Sequence, residues 1–339
     1  MWAALLMNGL VAAVVTLLLF TSGFFLLFTP LPIAYLFVRK GRWVAAVAGM
    51  TAFLLLALLY QLPIKLPLVE TMLPMLPMMA FEPTLGHQQV MSLGLVYLFY
   101  FLWIGFNLGV VSRKRWSVEK SFGYLIFSSI IVPGAVLLLA FQGFSFLSDI
   151  RMSFYEAIDR MIAMQKEAGA NGEELLFLQK YKEDIVRDAL SLIPSLWICF
   201  LTMALALNAS FLKRLCLQER LMGILFPAWV EFPVWRLMEG LIWAPIAAAA
   251  VYLGNTYSLN NEWVEVVALN VLIVFALVYF IQGLAIVSFL LRTRLGSNGM
   301  LRLTAYLLIF LFLQFFGILI LALGIFDFWF DFRKLKKQK

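Results

Sequence analysis

The chain has 339 residues, 63% of them hydrophobic and only 13% charged, with a formal net charge of +7 and a mean hydropathy of +0.94. A soluble domain carries roughly a quarter charged residues, so a soluble globular protein is excluded and a polytopic helical membrane protein is indicated. The basic residues sit in short clusters beside hydrophobic stretches, as the positive-inside rule distributes them, and no nucleic-acid partner is expected. Two cysteines, Cys199 and Cys216, are too few for a disulfide framework or a thiolate metal site.

No charge occurs between Met1 and Arg39. With no basic leader and no small-residue cleavage site, this stretch reads as a retained helix and not a signal peptide. Gly23 and the Thr29-Pro30-Leu31-Pro32 break divide it, because proline lacks a backbone donor and disfavours helix in the residue before it. The expectation is one span over 2–21 and a shorter membrane segment over 23–38, or else one long helix with an interfacial tail. Arg39, Lys40 and Arg42 form a cytoplasmic turn before a span over 43–62. Gly9/Ala13, Ala45/Gly49 and Ala48/Ala52 are small residues at the spacing that lets membrane helices approach closely. They serve packing within the chain or against another subunit. Residues 63–83 hold Pro63, Pro67, Pro74, Pro77 and Pro83 among methionines, too many prolines for a regular span. This is a re-entrant or interfacial segment, either a substrate gate or a cap over helix ends. His87, the single histidine, has no cysteine or carboxylate cluster beside it and is no metal site. Spans over 90–111, with Gly105/Gly109 and Asn107, and over 121–147, with Pro133 and Gln142, are joined by Arg113, Lys114 and Arg115.

Residues 148–188 are the sizeable polar region. Ile150, Phe154, Ile158, Met161 and Gln165 fall at helical spacing, as do Leu175, Leu178, Tyr181 and Ile185 after the Gly169–Gly172 turn. The pattern predicts an extramembrane amphipathic helical hairpin with an acidic balance, acting either as a solvated cover or as a partner-binding element. A span over 189–212 carries Pro194, Cys199 and Asn208. The stretch from Gly223 to Trp243 holds three tryptophans and two prolines and marks a membrane interface. Spans over about 236–253, 264–291 and 302–326 follow, then a basic tail over 327–339. The domain reading is thus N-terminal membrane helices over 1–147, the hairpin, C-terminal membrane helices over 189–326, and the tail. Basic turns at 39–42, 113–115, 213–220 and 292–302 all fit the cytoplasmic side. On that span order the tail emerges on the opposite side, with Glu262 and Glu265.

No phosphate-binding glycine loop, HExxH, CxxC or GxSxG occurs. No enzymatic activity and no cofactor are expected. Polar groups at membrane depth are the functional candidates. Asn107, Gln142, Asn208, Asn270 and Gln282 either line a pocket for a small polar ligand or bond across helices. Arg236 and Glu239, three apart, either pair with each other, or Arg236 holds an anionic ligand while Glu231 and Glu239 tune it.

The long span runs from Asn270 to Arg294. Within it, Gln282 needs a partner in hydrocarbon, and Gly283 with Ala285 offers a close-approach patch. Its run YFIQGLAIVSFLLRTR (Tyr279 to Arg294), the closing GIFDFWFDFRK (Gly324 to Lys334) and TPLPIAYLFVRKGRWVAAVAG (Thr29 to Gly49) resemble the YybS-type family of bacterial multi-pass membrane proteins. That family is distantly similar to the substrate-binding S components of energy-coupling-factor vitamin transporters. The resemblance points to Gln282, Gly283, Asp327, Asp331 and Arg333 as positions of interest without giving them roles; the aspartates pair with Arg333 or cap the last helix. It implies an S-component-like N-terminal part within an all-α bundle of about eight or nine membrane segments, in the bacterial cytoplasmic (inner) membrane. The function it implies is a small-molecule binding or transport subunit without its own ATPase, energised by a T subunit with ATPases that meets the alanine-rich faces. Two features depart from the S-component pattern: more spans than six, and the inserted acidic hairpin. The alternative is a membrane scaffold that recruits cell-envelope proteins through the hairpin; self-association is open in either case.

Overall fold

The computed structural model describes residues 2–23, 25–61, 87–140, 145–167, 172–218, 231–296 and 298–334. All regular elements among them are helical. The chain divides into two units, one formed by residues 1–190 and 201–228 and the other by 191–200 and 229–339.

The first unit opens with α1 (Trp2–Thr21), α2 (Pro30–Lys40), α3 (Arg42–Gln61), α4 (His87–Ser112) and α5 (Val118–Ala140). The break expected in the first forty residues is present. Gly23 takes φ 64°, a short 3-10 turn covers Leu26–Phe28, and α2 begins on Pro30. Proline suits a first helical turn, where its missing N–H would have no partner anyway. With 11 residues, α2 is about 17 Å long, too short to cross a hydrocarbon core of about 30 Å. Gly41 alone separates α2 from α3, at φ 98°, a conformation that a residue with a Cβ rarely adopts. Ala13, Ala45, Ala48 and Ala52 are fully buried, and α1, α2, α3 and α4 pack together. A Cβ on Gly105 would come within 2.5 Å of the Pro30 carbonyl oxygen, and one on Gly109 within 2.5 Å of the Phe37 ring. These two glycines therefore let α4 lie directly on α2. Gly49 has ordinary room against Leu102, and a Cβ on Gly9 would meet nothing within 4 Å.

The hairpin comprises α6 (Ser145–Glu167), α7 (Gly172–Lys180) and the start of α8 (Lys182–Gln218). Ile158, Ile162 and Val186 form its core, with Phe154, Tyr155, Leu175, Leu178, Ile185 and Leu190 packed around them. Ile162 occupies the place expected for Met161, which is 44% exposed. The face rotates by one residue because the stiff branched side chain fills the inter-helix space and the methionine is left at the rim. No break separates hairpin from span: α8 runs 37 residues, about 55 Å, with Pro194 inside it.

In the second unit, 3-10 turns at Phe232–Val234 and Glu239–Ile242 precede α9 (Trp243–Gly254). A π-helical turn (Asn255–Leu259) leads to α10 (Glu262–Leu295), α11 (Gly299–Leu311) and α12 (Leu313–Phe330). Asn261 caps α10, its side chain accepting from the Trp263 and Val264 N–H groups, which have no partner inside the helix. The span expected from 236 begins as α-helix at Trp243, since Trp235 (ψ 133°) and Met238 (ψ 131°) are extended. The span expected over 302–326 is two helices broken at Phe312 (φ −107°, ψ 30°). Gly283 lies against Ile320, and Gly324 against Tyr279. The opposite order of these contacts makes α10 and α12 antiparallel, so the chain end points back toward the Glu262 end of α10.

Among the described residues, α3, α4, α8, α10 and α12 are by length and composition able to cross a membrane, and Met7–Thr21 of α1 and Gly299–Leu311 are apolar helical stretches too. The protein is an all-α polytopic membrane protein. The Pro/Met-rich 63–83 segment, Gln142, positions 168–171 of the hairpin turn and residues 335–339 lie outside the described residues.

Candidate functional site

The densest polar cluster is in the second unit, where α10, α12 and the irregular segment 231–242 meet. Its logic starts from the backbone. After the 3-10 turn at Phe232–Val234 the chain runs extended at Trp235 and Met238, which strips carbonyls and N–H groups of helical partners. In an apolar surround those groups must be satisfied by protein. Arg333 supplies one partner: its Nη1 donates to the carbonyls of Pro233 (2.9 Å) and Trp235 (2.7 Å). Gln282 supplies another, its Oε1 accepting from the Leu237 N–H at 3.2 Å.

Both side chains are held in turn by α12. Arg333 Nη2 reaches Asp327 Oδ2 at 2.8 Å, with both side chains fully buried. Asp327 Oδ1 accepts from the Phe332 N–H at 3.1 Å. Gln282 Nε2 donates to the Gly324 carbonyl (3.2 Å) and to Asp327 Oδ2 (3.4 Å). Asp331 sits at φ 42°, the left-handed turn that folds Arg333 back under α12. The approach that permits these bonds depends on two glycines. A Cβ on Gly283 would overlap the Ile320 carbonyl oxygen, and one on Gly324 the Tyr279 carbonyl oxygen. Leu237, Ile242 and Tyr279 form the apolar floor.

Arg236 borders the cluster. Its Nη2 donates to the Asp327 carbonyl at 3.3 Å, and its guanidinium lies 3.7 Å from Glu239 and 3.9 Å from Asp331. The expected Arg236–Glu239 pair is formed, though across an extended segment and a 3-10 turn and not on one helix face. Glu231 pairs with Arg292 at 2.7 Å, both largely exposed.

Asn270, elsewhere on α10, engages the turn of α8 that contains Pro194. Its Oδ1 accepts from the Ser195 N–H (2.8 Å) and its Nδ2 donates to the Ser191 carbonyl (2.7 Å). The amide thereby ties donor and acceptor of the turn that Pro194 disturbs.

In the first unit, Asn107 Nδ2 donates to the Trp103 carbonyl (2.9 Å) and its Oδ1 accepts from the Tyr124 hydroxyl (2.9 Å). Together with Trp103 Nε1 on the Ser128 carbonyl, this fastens α4 to α5. Asn208 Nδ2 donates to the carbonyls of Leu27 (2.7 Å) and Ala204 (2.8 Å). Its Oδ1 and the Thr29 hydroxyl are buried without a hydrogen-bond partner.

Sequence reasoning singled out Gln282, Gly283, Asp327, Asp331, Arg333, Arg236 and Glu239 one by one; the structure brings them to one node. Pro233, Trp235 and Leu237, which supply the backbone groups, were not foreseen, although the Pro233 break in a tryptophan-rich stretch was their signal. The node contains two cations and three carboxylates, each with a partner. Among the described residues no group of three metal-ligating side chains is assembled. Chemically the node is a lock that holds a helix break shut.

No curated protein and no solved structure matches the chain. The sequence pattern of a family described as predicted membrane protein (DUF2232) matches residues 75–328, about three quarters of the chain. That match takes in the α10–α12 crossing and Asp327, and the chain belongs to this family of predicted membrane proteins.

Proposed function

We propose that the protein is a non-enzymatic scaffold of the bacterial cytoplasmic membrane that recruits cell-envelope proteins through the hairpin of α6, α7 and the start of α8. What supports this role is the engagement of the intramembrane amides by the chain itself. Asn107, Asn270 and Gln282 each bond two helices or a helix and an irregular segment, so they act as staples and leave little polar capacity for a ligand. The hairpin, by contrast, has its own core and still exposes Met152, Met164, Leu176 and Phe177, each more than half accessible. Large apolar side chains left bare on a charged element suit a protein partner.

A second reading, a small-molecule transport subunit coupled to a T subunit with ATPases, draws support from one place. Asn208 Oδ1 and Thr29 Oγ1 are buried and unpartnered, and a buried acceptor and hydroxyl of this kind ordinarily hold a ligand or water. Affinity purification from native membranes in mild detergent separates the two. Co-purifying envelope proteins, lost on Phe177→Glu, support the scaffold. An ATPase pair with a T-like membrane subunit, or a stoichiometric metabolite lost on Asn208→Leu, supports the transporter.

A further inference from the structure

We infer that the end of the first unit where α2, α3 and α4 meet holds an anionic phospholipid headgroup. Arg113 Nη2 donates to the carbonyls of Phe37 (3.2 Å) and Val38 (2.8 Å), the last turn of α2, so the basic turns at 39–42 and 113–115 share one end. Between them lies a groove of about 640 Å³, lined by the rings of Phe37, Phe106 and Trp43 together with Arg42, Arg113 and Lys114. The three cations are not equivalent. Arg113 is bound to α2 carbonyls and serves the fold. Arg42 and Lys114 have no carboxylate partner among the described residues; their neighbours are aromatic, Arg42 5.3 Å from the Trp43 ring and Lys114 5.9 Å from the Trp116 ring. Glu119, the acid nearest in sequence, already has an interaction of its own.

A groove lined by both cations and aromatic rings matches a molecule with a phosphate at one end and hydrocarbon at the other. A free phosphate ion would gain nothing from Phe37, Phe106 or Trp43, whereas the glycerol and first methylenes of a phospholipid would cover them. The placement agrees: α3 begins at Arg42 and α4 ends at Ser112, and both are long and apolar enough to cross a membrane. Trp43 is 73% exposed, and indole rings favour the headgroup level. Basic pockets between membrane helices take anionic headgroups in this way.

The test is native mass spectrometry of the full-length protein in mild detergent, titrated with phosphatidylglycerol or phosphatidylcholine. Wild type should retain one more phosphatidylglycerol than phosphatidylcholine. Arg42→Gln with Lys114→Gln should weaken that retention about 25-fold, at about five-fold per cation, while Lys213→Gln with Arg214→Gln leaves it unchanged. Arg42, Lys114 and Arg214 are exposed and Lys213 is half-buried, and retention by wild type should also fall between about 0.05 and about 0.5 M salt. Equal retention of the two lipids, equal loss with both variant pairs, or displacement by inorganic phosphate at lipid-like concentration would each overturn the assignment.

Discussion

Replacing Arg333 with methionine removes three hydrogen bonds at once, to Asp327, Pro233 and Trp235. Methionine has similar bulk, so packing is roughly kept and the electrostatic loss is isolated. Asp327, fully buried, is left with the Phe332 N–H and a long bond from Gln282. Leaving one charge of a buried pair uncompensated costs about 3–5 kcal/mol, and each unpartnered carbonyl about 1–3 kcal/mol. These terms share one site and do not add, so about 5 kcal/mol is the expected total. At about 2–4 °C per kcal/mol, the melting temperature in detergent should fall by about 10–20 °C. Asp327→Asn should cost less, because Arg333 keeps both carbonyls and the amide oxygen still accepts. Arg333→Lys should fall between them, since one ammonium does not reproduce the planar fork. Fluorescence-detected size exclusion after heating reads all three. An Arg333→Met protein melting within about 2 °C of wild type would refute the view that this arginine holds the helix break closed.

The α10–α12 crossing makes a steric prediction. Gly283→Ala and Gly324→Ala force backbone apart and should each destabilise at least as much as overpacking does elsewhere, about 1–3 kcal/mol or more. Gly123→Ala, with open space around it, should be neutral or slightly stabilising; all are measurable by the same heating assay. In the hairpin, Ile158→Ala should cost about 2–5 kcal/mol and raise hydrogen exchange across α6 and α7 while α10 and α12 stay protected. Phe177→Glu, on the exposed face, should leave that exchange pattern intact and abolish recovery of protein partners.

Much of the fold is legible along the chain because its determinants are local. The Pro30 break, the apolar stretches and the hairpin's helical periodicity each depend on neighbours within a few residues. The single-residue slip between Met161 and Ile162 shows where that stops: both fit the stripe, and only packing against Val186 selects the branched one. The node is legible as residues and not as a place. Gln282 and Leu237 are 45 positions apart, and Arg333 and Pro233 are 100 apart, so nothing in spacing pairs them. Asn270 and Ser195, 75 apart, are linked only because Pro194 disturbs a turn that a facing helix then repairs. The start of α9 at Trp243 follows from the same cause: the extended path to Leu237 is stabilised by side chains from far along the chain.

The central claim is that the amides at membrane depth are structural staples, and substitution to leucine tests it most directly. Asn107→Leu, Asn270→Leu and Gln282→Leu should each lower the melting temperature, Gln282→Leu the most, because it removes the acceptor of the Leu237 N–H and the side-chain donor to the Gly324 carbonyl and Asp327. Residues kept for a ligand are commonly held at a cost to stability. Substitutions that leave the melting temperature unchanged or raise it would contradict the claim and return these positions to a binding pocket.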